Sequence, residues 1–213
     1  MTAFVVTGTD TGIGKTVFAA GLAKRLNATY WKPVQSGLEE ETDSQIVSRL
    51  SGQPVHAETY RLQLPASPHI AAAREGVTID DRVLTLPSQR PLVIEGAGGL
   101  MVPLNDQVTF LDMFARWQLP IILCARTSLG TINHSLLSIA ALRWAGVALH
   151  GVAFIGKPEP HVEATICRIG EARHLGRLPW LDAVTVDSLS AGFDAAFAVD
   201  VFATMAPNSG SRS

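Results

Sequence analysis

The segment Val6-Thr7-Gly8-Thr9-Asp10-Thr11-Gly12-Ile13-Gly14-Lys15-Thr16 combines glycines, a lysine and a hydroxyl in a spacing suited to gripping a polyphosphate. Glycines let backbone N–H groups turn toward an anion, a helix N-terminus adds a positive dipole end, and Lys15 adds a full charge. The Thr16 hydroxyl can reach a magnesium ion shared with the phosphates. Five residues rather than four separate Gly8 from Gly14, and Thr9 stands where the usual first glycine would be. Three further groups suit the same chemistry. Glu95 ends an apolar run, where a carboxylate is costly to bury unless it is paired or coordinates a cation. Asp43 either joins it at the metal or caps the helix starting at Ser44. Lys32, in an aromatic and β-branched run, would set a second cation before the transferring phosphoryl group. Ser36-Gly37 supplies a hydroxyl and free N–H groups, and Gly96-Ala97-Gly98-Gly99 permits close backbone approach to a ligand.

These groups need elements that bring them together. Ala3–Val6 reads as a strand and residues 17–26 as a helix, with Phe18, Leu22 and Leu26 on one face. Residues 29–34 read as a second strand ending near Pro33, and 44–50 as a helix behind the acidic run Glu39 to Asp43. Ser67, Pro68 and Gly76 predict a capped helix. Buried strands are expected at 91–95, 120–125 and 147–155, with a short edge strand at 174–178. Helices are expected near 109–118, 133–145 and 163–173. Apolar strands alternating with helices predict an α/β fold, a mostly parallel sheet covered on both faces. Ligands gather beyond the carboxyl ends of such strands. Gly8–Thr16, Lys32–Ser36, Glu95–Gly99 and Arg126–Asn133 all follow strands, which places them on one rim. A single domain over residues 1–207 is expected, followed by a polar, disordered tail at 208–213.

Bulk properties exclude several classes. A hydrophobic content of 47% with 17% charged residues describes a core-rich globular chain. A net charge of −2 with scattered Lys and Arg gives no footprint for nucleic acid. No run approaches the roughly 20 apolar residues of a membrane span, and the N-terminus shows no signal-peptide pattern. Cys124 and Cys167 have no partner spacing, so a reduced, cytoplasmic protein is expected. His69, in the first turn of a capped helix, reads as local structure. No hydrolytic triad order or zinc-ligand spacing is visible.

Taken together, the motifs resemble those of the ATP-dependent dethiobiotin synthetase family, within the P-loop NTPases. The resemblance rests on Gly8-Thr9-Asp10-Thr11 with Gly14-Lys15-Thr16, Lys32-Pro33-Val34 with Ser36-Gly37, and Ser67-Pro68-His69-Ile70. It continues through Glu95-Gly96-Ala97-Gly98-Gly99, Leu129-Gly130-Thr131-Ile132-Asn133-His134 and Leu178-Pro179-Trp180-Leu181. It implies a cytoplasmic homodimer that carboxylates 7,8-diaminononanoate with carbon dioxide and closes a cyclic urea, using ATP and magnesium. It further implies Lys32, Lys15 and Thr11 as catalytic residues. Gly12, Ile13, Gly14, Lys15, Thr16 and Val17 would hold phosphates, with Thr16, Asp43 and Glu95 at the metal. Gly96, Ala97, Gly98, Ile155, Gly156, Pro179, Trp180 and Leu181 would complete the nucleotide site. Ser36, Leu129, Gly130 and Asn133 would meet the diamine, the last three across the dimer interface. Many relatives carry asparagine at the base-reading position that Ile155 occupies here, and isoleucine cannot make those hydrogen bonds.

Two other classes compete. An amidating synthetase of the same P-loop group needs a glutaminase domain with a nucleophilic cysteine, which these two apolar-context cysteines do not supply. A partition or positioning ATPase switch carries a second lysine near the loop start, where this chain has Asp10.

Overall fold

In the computed structural model, which describes residues 2–203, apolar β-branched runs too short for helices pair side by side. Strands β1 (Ala3–Gly8), β2 (Thr29–Trp31), β4 (Val55–His56), β6 (Leu92–Gly99), β7 (Ile121–Arg126), β8 (Leu149–Ile155) and β9 (His174–Leu178) form one sheet. Its order is β4-β2-β6-β1-β7-β8-β9 and every pairing is parallel. Strands β3 (Val34–Ser36) and β5 (Tyr60–Leu62) make a separate parallel pair.

Side chains alternate across the sheet, so each strand feeds two cores. Phe4, Val6, Tyr30, Val93, Ile122, Cys124 and Ile155 face α1 (Lys15–Leu26), α2 (Asp43–Ser51) and α7 (Val186–Ala196). Val5, Trp31, Leu92, Ile94 and Ile121 face α3 (Pro68–Arg74), α4 (Phe110–Trp117) and the end of α5 (Thr131–Trp144). Leu123, Ala125, Val152 and Phe154 pack against α5 and α6 (Pro160–Ile169). At Gly21 a β-carbon would collide with the Phe193 ring, so its absence lets α7 press against α1. Among the described residues, no helix is long and apolar enough to cross a membrane.

Several expectations need correction. The run 29–34 is not one strand: β2 stops at Trp31, and β3 starts at Val34 in the other sheet. Proline lacks the N–H a continuing strand would donate. Strand β6 extends through the glycines to Gly99, which pairs with Gly8, so Glu95 lies inside a strand instead of ending it. Helix α5 begins at Thr131 rather than Asn133, and α6 runs from Pro160 to Ile169. Strands β4 and β5 and helix α7 were not expected. The 208–213 tail lies outside the described residues.

Candidate active site

The phosphate loop follows from β1 feeding α1 with no room to spare. Gly14 has φ of 94°, the left-handed region that disfavours side chains, and a β-carbon there would stand 3.1 Å from Ile155 Cγ2. Helix α1 therefore starts with its N–H groups free and Lys15 in its first turn. Lys15 Nζ donates to the Asp10 carbonyl oxygen at 2.6 Å. Burial lowers its pKa, with Lys32 adding to the effect and Glu95 opposing it. The Thr11 N–H donates to Asp10 Oδ1 at 2.7 Å, while Arg126 Nη1 lies 3.4 Å from Asp10 Oδ2.

Strand register builds the neighbouring cluster. Trp31 pairs with Ile94, so the next residues along both strands, Lys32 and Glu95, come side by side at the rim. Lys32 Nζ lies 3.2 Å from Glu95 Oε1 and 2.5 Å from Asp43 Oδ2. Asp43 is free for this contact because Thr42, not Asp43, caps α2. The Thr42 hydroxyl accepts from the Gln45 N–H, and Gln45 Oε1 accepts from the Thr42 N–H. Thr16 Oγ1 lies 2.8 Å from Asp43 Oδ1 and 3.0 Å from Glu95 Oε1. A lysine from the β2–β3 connection, two carboxylates from α2 and β6 and a hydroxyl from α1 thus meet in one place.

Burial sharpens the electrostatics, since Lys32 is 4% and Glu95 1% exposed. Burial alone would lower the Lys32 pKa, yet Glu95 and Asp43 together raise it, so the ammonium stays charged. Burial likewise disfavours the Asp43 carboxylate, but Lys32 and the Thr16 hydrogen bond hold its pKa below the ordinary value. Lys32 is therefore engaged with two carboxylates rather than standing as a second free cation. A hard divalent cation suits the oxygen donors Thr16 Oγ1, Asp43 and Glu95. Magnesium commonly takes one or two carboxylates and completes its shell with waters and substrate phosphates. Among the described residues no group of three or more His, Cys, Asp or Glu could hold a metal alone, so here the phosphates would have to finish the shell.

A cavity of about 600 Å³ lies over this cluster. Thr11, Gly12, Gly14, Lys15, Thr16, Val17, Lys32, Ser36, Asp43, Glu95, Ala97 and Gly98 line it, so most of the residues singled out from sequence share one chamber. A second cavity of about 480 Å³ adjoins it and shares the lining residues Thr11, Ser67 and Val102. Its other walls are mainly apolar, from Leu100, Met101, Pro103, Leu137 and Ala141, with Asp10, His69 and His134 as its ionisable groups.

Other predicted residues lie apart from the phosphate chamber. Ile13 and Ile155 are 2% exposed and belong to the core, and a β-carbon on Gly96 would meet Phe114. Trp180, at 61% exposure, stands beside Gly156, where a β-carbon would lie 3.5 Å from the indole Nε1. Pro179 and Leu181 flank it just past β9. Leu129 is fully exposed, and Gly130 and Asn133 are exposed beside it at the start of α5.

Two residues with polar contacts in the cluster were missed. Tyr30, two residues before Lys32 on the same strand face, donates from its hydroxyl to Glu95 Oε2 at 2.8 Å. The period-two alternation of a strand was the available signal. Buried Gln35 donates from Nε2 to the Ser36 and Gly37 carbonyl oxygens at 3.1 and 3.3 Å, and its Oε1 accepts the Asp43 N–H at 3.3 Å. Nothing in the sequence marks that glutamine.

Comparison with known proteins shows the family. A family model described as an AAA domain matches residues 2–188. An ATP-dependent dethiobiotin synthetase BioD of Rhodopseudomonas palustris is 62% identical over 197 residues, covering 91% of this chain and 93% of the relative. Relatives of the same name from Nitrobacter hamburgensis and Sphingopyxis alaskensis are each 57% identical. They cover 94% and 95% of this chain, and 97% and 100% of their own lengths. Among solved structures, the cell division ATPase MinD of Pyrococcus furiosus superposes with a TM-score of 0.56 at 13% identity, over 95% of this chain and 97% of that one. That likeness concerns the fold.

Proposed function

The chain belongs to the ATP-dependent dethiobiotin synthetase family and forms dethiobiotin in biotin biosynthesis, and on that premise we propose how its rim residues divide the work. The observation that carries the assignment is Lys32 bridging Asp43 and Glu95 beside Thr16 and Lys15, in the wall of the 600 Å³ cavity. Lys15, Thr11 and the N–H groups of 12–17 grip the ATP phosphates. Thr16, Asp43 and Glu95 would hold magnesium, which would offset the negative charge of the phosphates.

The diamine substrate presents its reacting end to Lys32 and Ser36, and its hydrocarbon chain fills the apolar second cavity. One neutral amine attacks carbon dioxide and loses a proton, giving a carbamate. A carbamate oxygen then displaces ADP from the γ-phosphate. The second amine attacks the activated carbonyl carbon, phosphate leaves, and a proton is lost as the urea ring closes. Lys32 compensates the negative charge that builds on the carbamate and phosphoryl oxygens. Holding these partners in line converts collisions into an intramolecular reaction, the main source of rate here.

The distal carboxylate of the diamine is received at the α5 N-terminus by Leu129, Gly130 and Asn133 of a second copy of the chain. Exposed Leu137 and Trp144, seven residues apart and so on one side of α5, give that second copy an apolar face to cover. The nucleoside extends past Gly156 toward Pro179, Trp180 and Leu181, where Ile155 offers no hydrogen bond to the base. An omission assay tests the whole: label from carbon-14 bicarbonate should enter a non-volatile cyclic urea only when diamine, ATP and magnesium are all present. Fixation of label without the diamine would contradict it.

A further inference from the structure

Glu95 makes contacts through both of its oxygens, and the two sets differ. Oε1 meets the Thr16 hydroxyl at 3.0 Å and Lys32 Nζ at 3.2 Å, facing the phosphate chamber. Oε2 points back into the core and accepts one hydrogen bond, from Tyr30 at 2.8 Å. Tyr30 is fully buried, and the pairing of Tyr30 with Val93 and Trp31 with Ile94 sets its ring beneath Glu95 on the same sheet face as Lys32. We propose that Tyr30 is a positioning residue that holds Glu95 Oε2 back, so that Oε1 alone is presented to the cation and to Lys32. This rests on the placement of magnesium at Thr16, Asp43 and Glu95.

The physics favours such a division. The terminal torsion of a glutamate is broad and roughly two-fold, so a carboxylate held only from the front can turn. A turned carboxylate would withdraw Oε1 from Lys32 and Thr16. The phenol hydroxyl supplies the one donor that Oε2 meets, from a ring fixed by its strand and by burial on every side. An acceptor-only carboxylate buried in the core needs that donor, and without it Oε2 is left unpaired. Outer partners of this kind typically govern about 10- to 100-fold in metal affinity or activity.

Tyr30→Phe removes the hydroxyl and keeps the ring. With ADP bound, its magnesium dissociation constant by calorimetry should rise about 10-fold, while ADP binding in EDTA stays unchanged. An unchanged magnesium constant overturns the proposal. Thr16→Ala and Glu95→Gln, measured alongside, report on the metal placement itself. If neither alters magnesium binding, the placement fails; if both do and Tyr30→Phe does not, only the role of Tyr30 fails. A second readout needs no folded Tyr30 variant. The chain has two tyrosines, and the other, Tyr60, accepts the Asp80 N–H with its hydroxyl. With 3-fluorotyrosine incorporated and Tyr60→Phe used for assignment, the Tyr30 fluorine resonance should move on adding magnesium to the ADP complex. A resonance that stays still contradicts the proposal.

Discussion

Replacing Lys32 with methionine keeps the side-chain volume and removes the only ammonium found between Asp43 and Glu95 among the described residues. Two carboxylates, one of them 1% exposed, then face each other without a counter-charge. Breaking a buried ion pair on one side costs about 3–5 kcal/mol. The Asp43 side chain keeps 26% exposure, so water screens part of the repulsion and the lower end applies, about 3 kcal/mol. In a domain of this size that is a fall of roughly 6–12 °C in melting temperature for the ligand-free protein. The cluster can also take up a proton instead, so the loss should deepen as pH rises. Magnesium added with ATP would bring positive charge back to the carboxylates, so its stabilising effect should be larger in Lys32→Met than in the parent. Turnover should fall about 10²- to 10³-fold, the usual effect of removing one charge-stabilising group. ATP binding should change only a few-fold, because the proposed grip on the phosphates is through Lys15. Lys15→Met should show the reverse, losing ATP binding by about 10-fold or more, equivalent to about 1.4 kcal/mol. Calorimetric melting, ATP titration and turnover on the three proteins decide it. Equal loss of ATP binding in both variants, or an unchanged melting temperature in Lys32→Met, would refute this division of roles.

Acidification should destabilise the ligand-free protein through Asp43. Its folded pKa lies below the ordinary 3.8, so its contribution is present above that value and is lost as pH falls through the folded one. The melting temperature should therefore drop below about pH 4, and Asp43→Asn should flatten part of that drop. Gly21→Ala forces a methyl into the Phe193 ring and should cost about 1–3 kcal/mol, read as a lower denaturation midpoint, with ATP affinity kept because α1 retains its loop end.

The phosphate grip was legible because glycine, lysine and threonine have few other reasons to stand together after a strand. Lys32 and Glu95 were legible as rim residues, since the apolar runs carrying them had to hold buried strands, although β2 ends at Trp31, just before Lys32. Their mutual contact was not, because register between β2 and β6 depends on pairing that no local pattern encodes. The same limit hid Tyr30, whose partner lies 65 positions away. The run through Lys32-Pro33 read as one strand because its side chains favour extended backbone throughout; only the missing proline N–H marks the break. Helix α7 escaped notice because Val186–Ala196 carries few long apolar residues, and Leu189 and Phe193 alone anchor it as buried residues. Strands β4 and β5, at two and three residues, are too short for any period to show.

Oxygen tracing tests most directly whether this rim transfers phosphate to a carboxylated amine. With bicarbonate and its equilibrated carbon dioxide enriched in oxygen-18, in ordinary water on a short time scale, the carbamate carries two heavy oxygens. One heavy oxygen should appear in each inorganic phosphate released, and the other should remain in the urea carbonyl of the product. Phosphate bearing oxygen from solvent water alone would show that the γ-phosphoryl group goes to water, and the proposed ligase chemistry would fall.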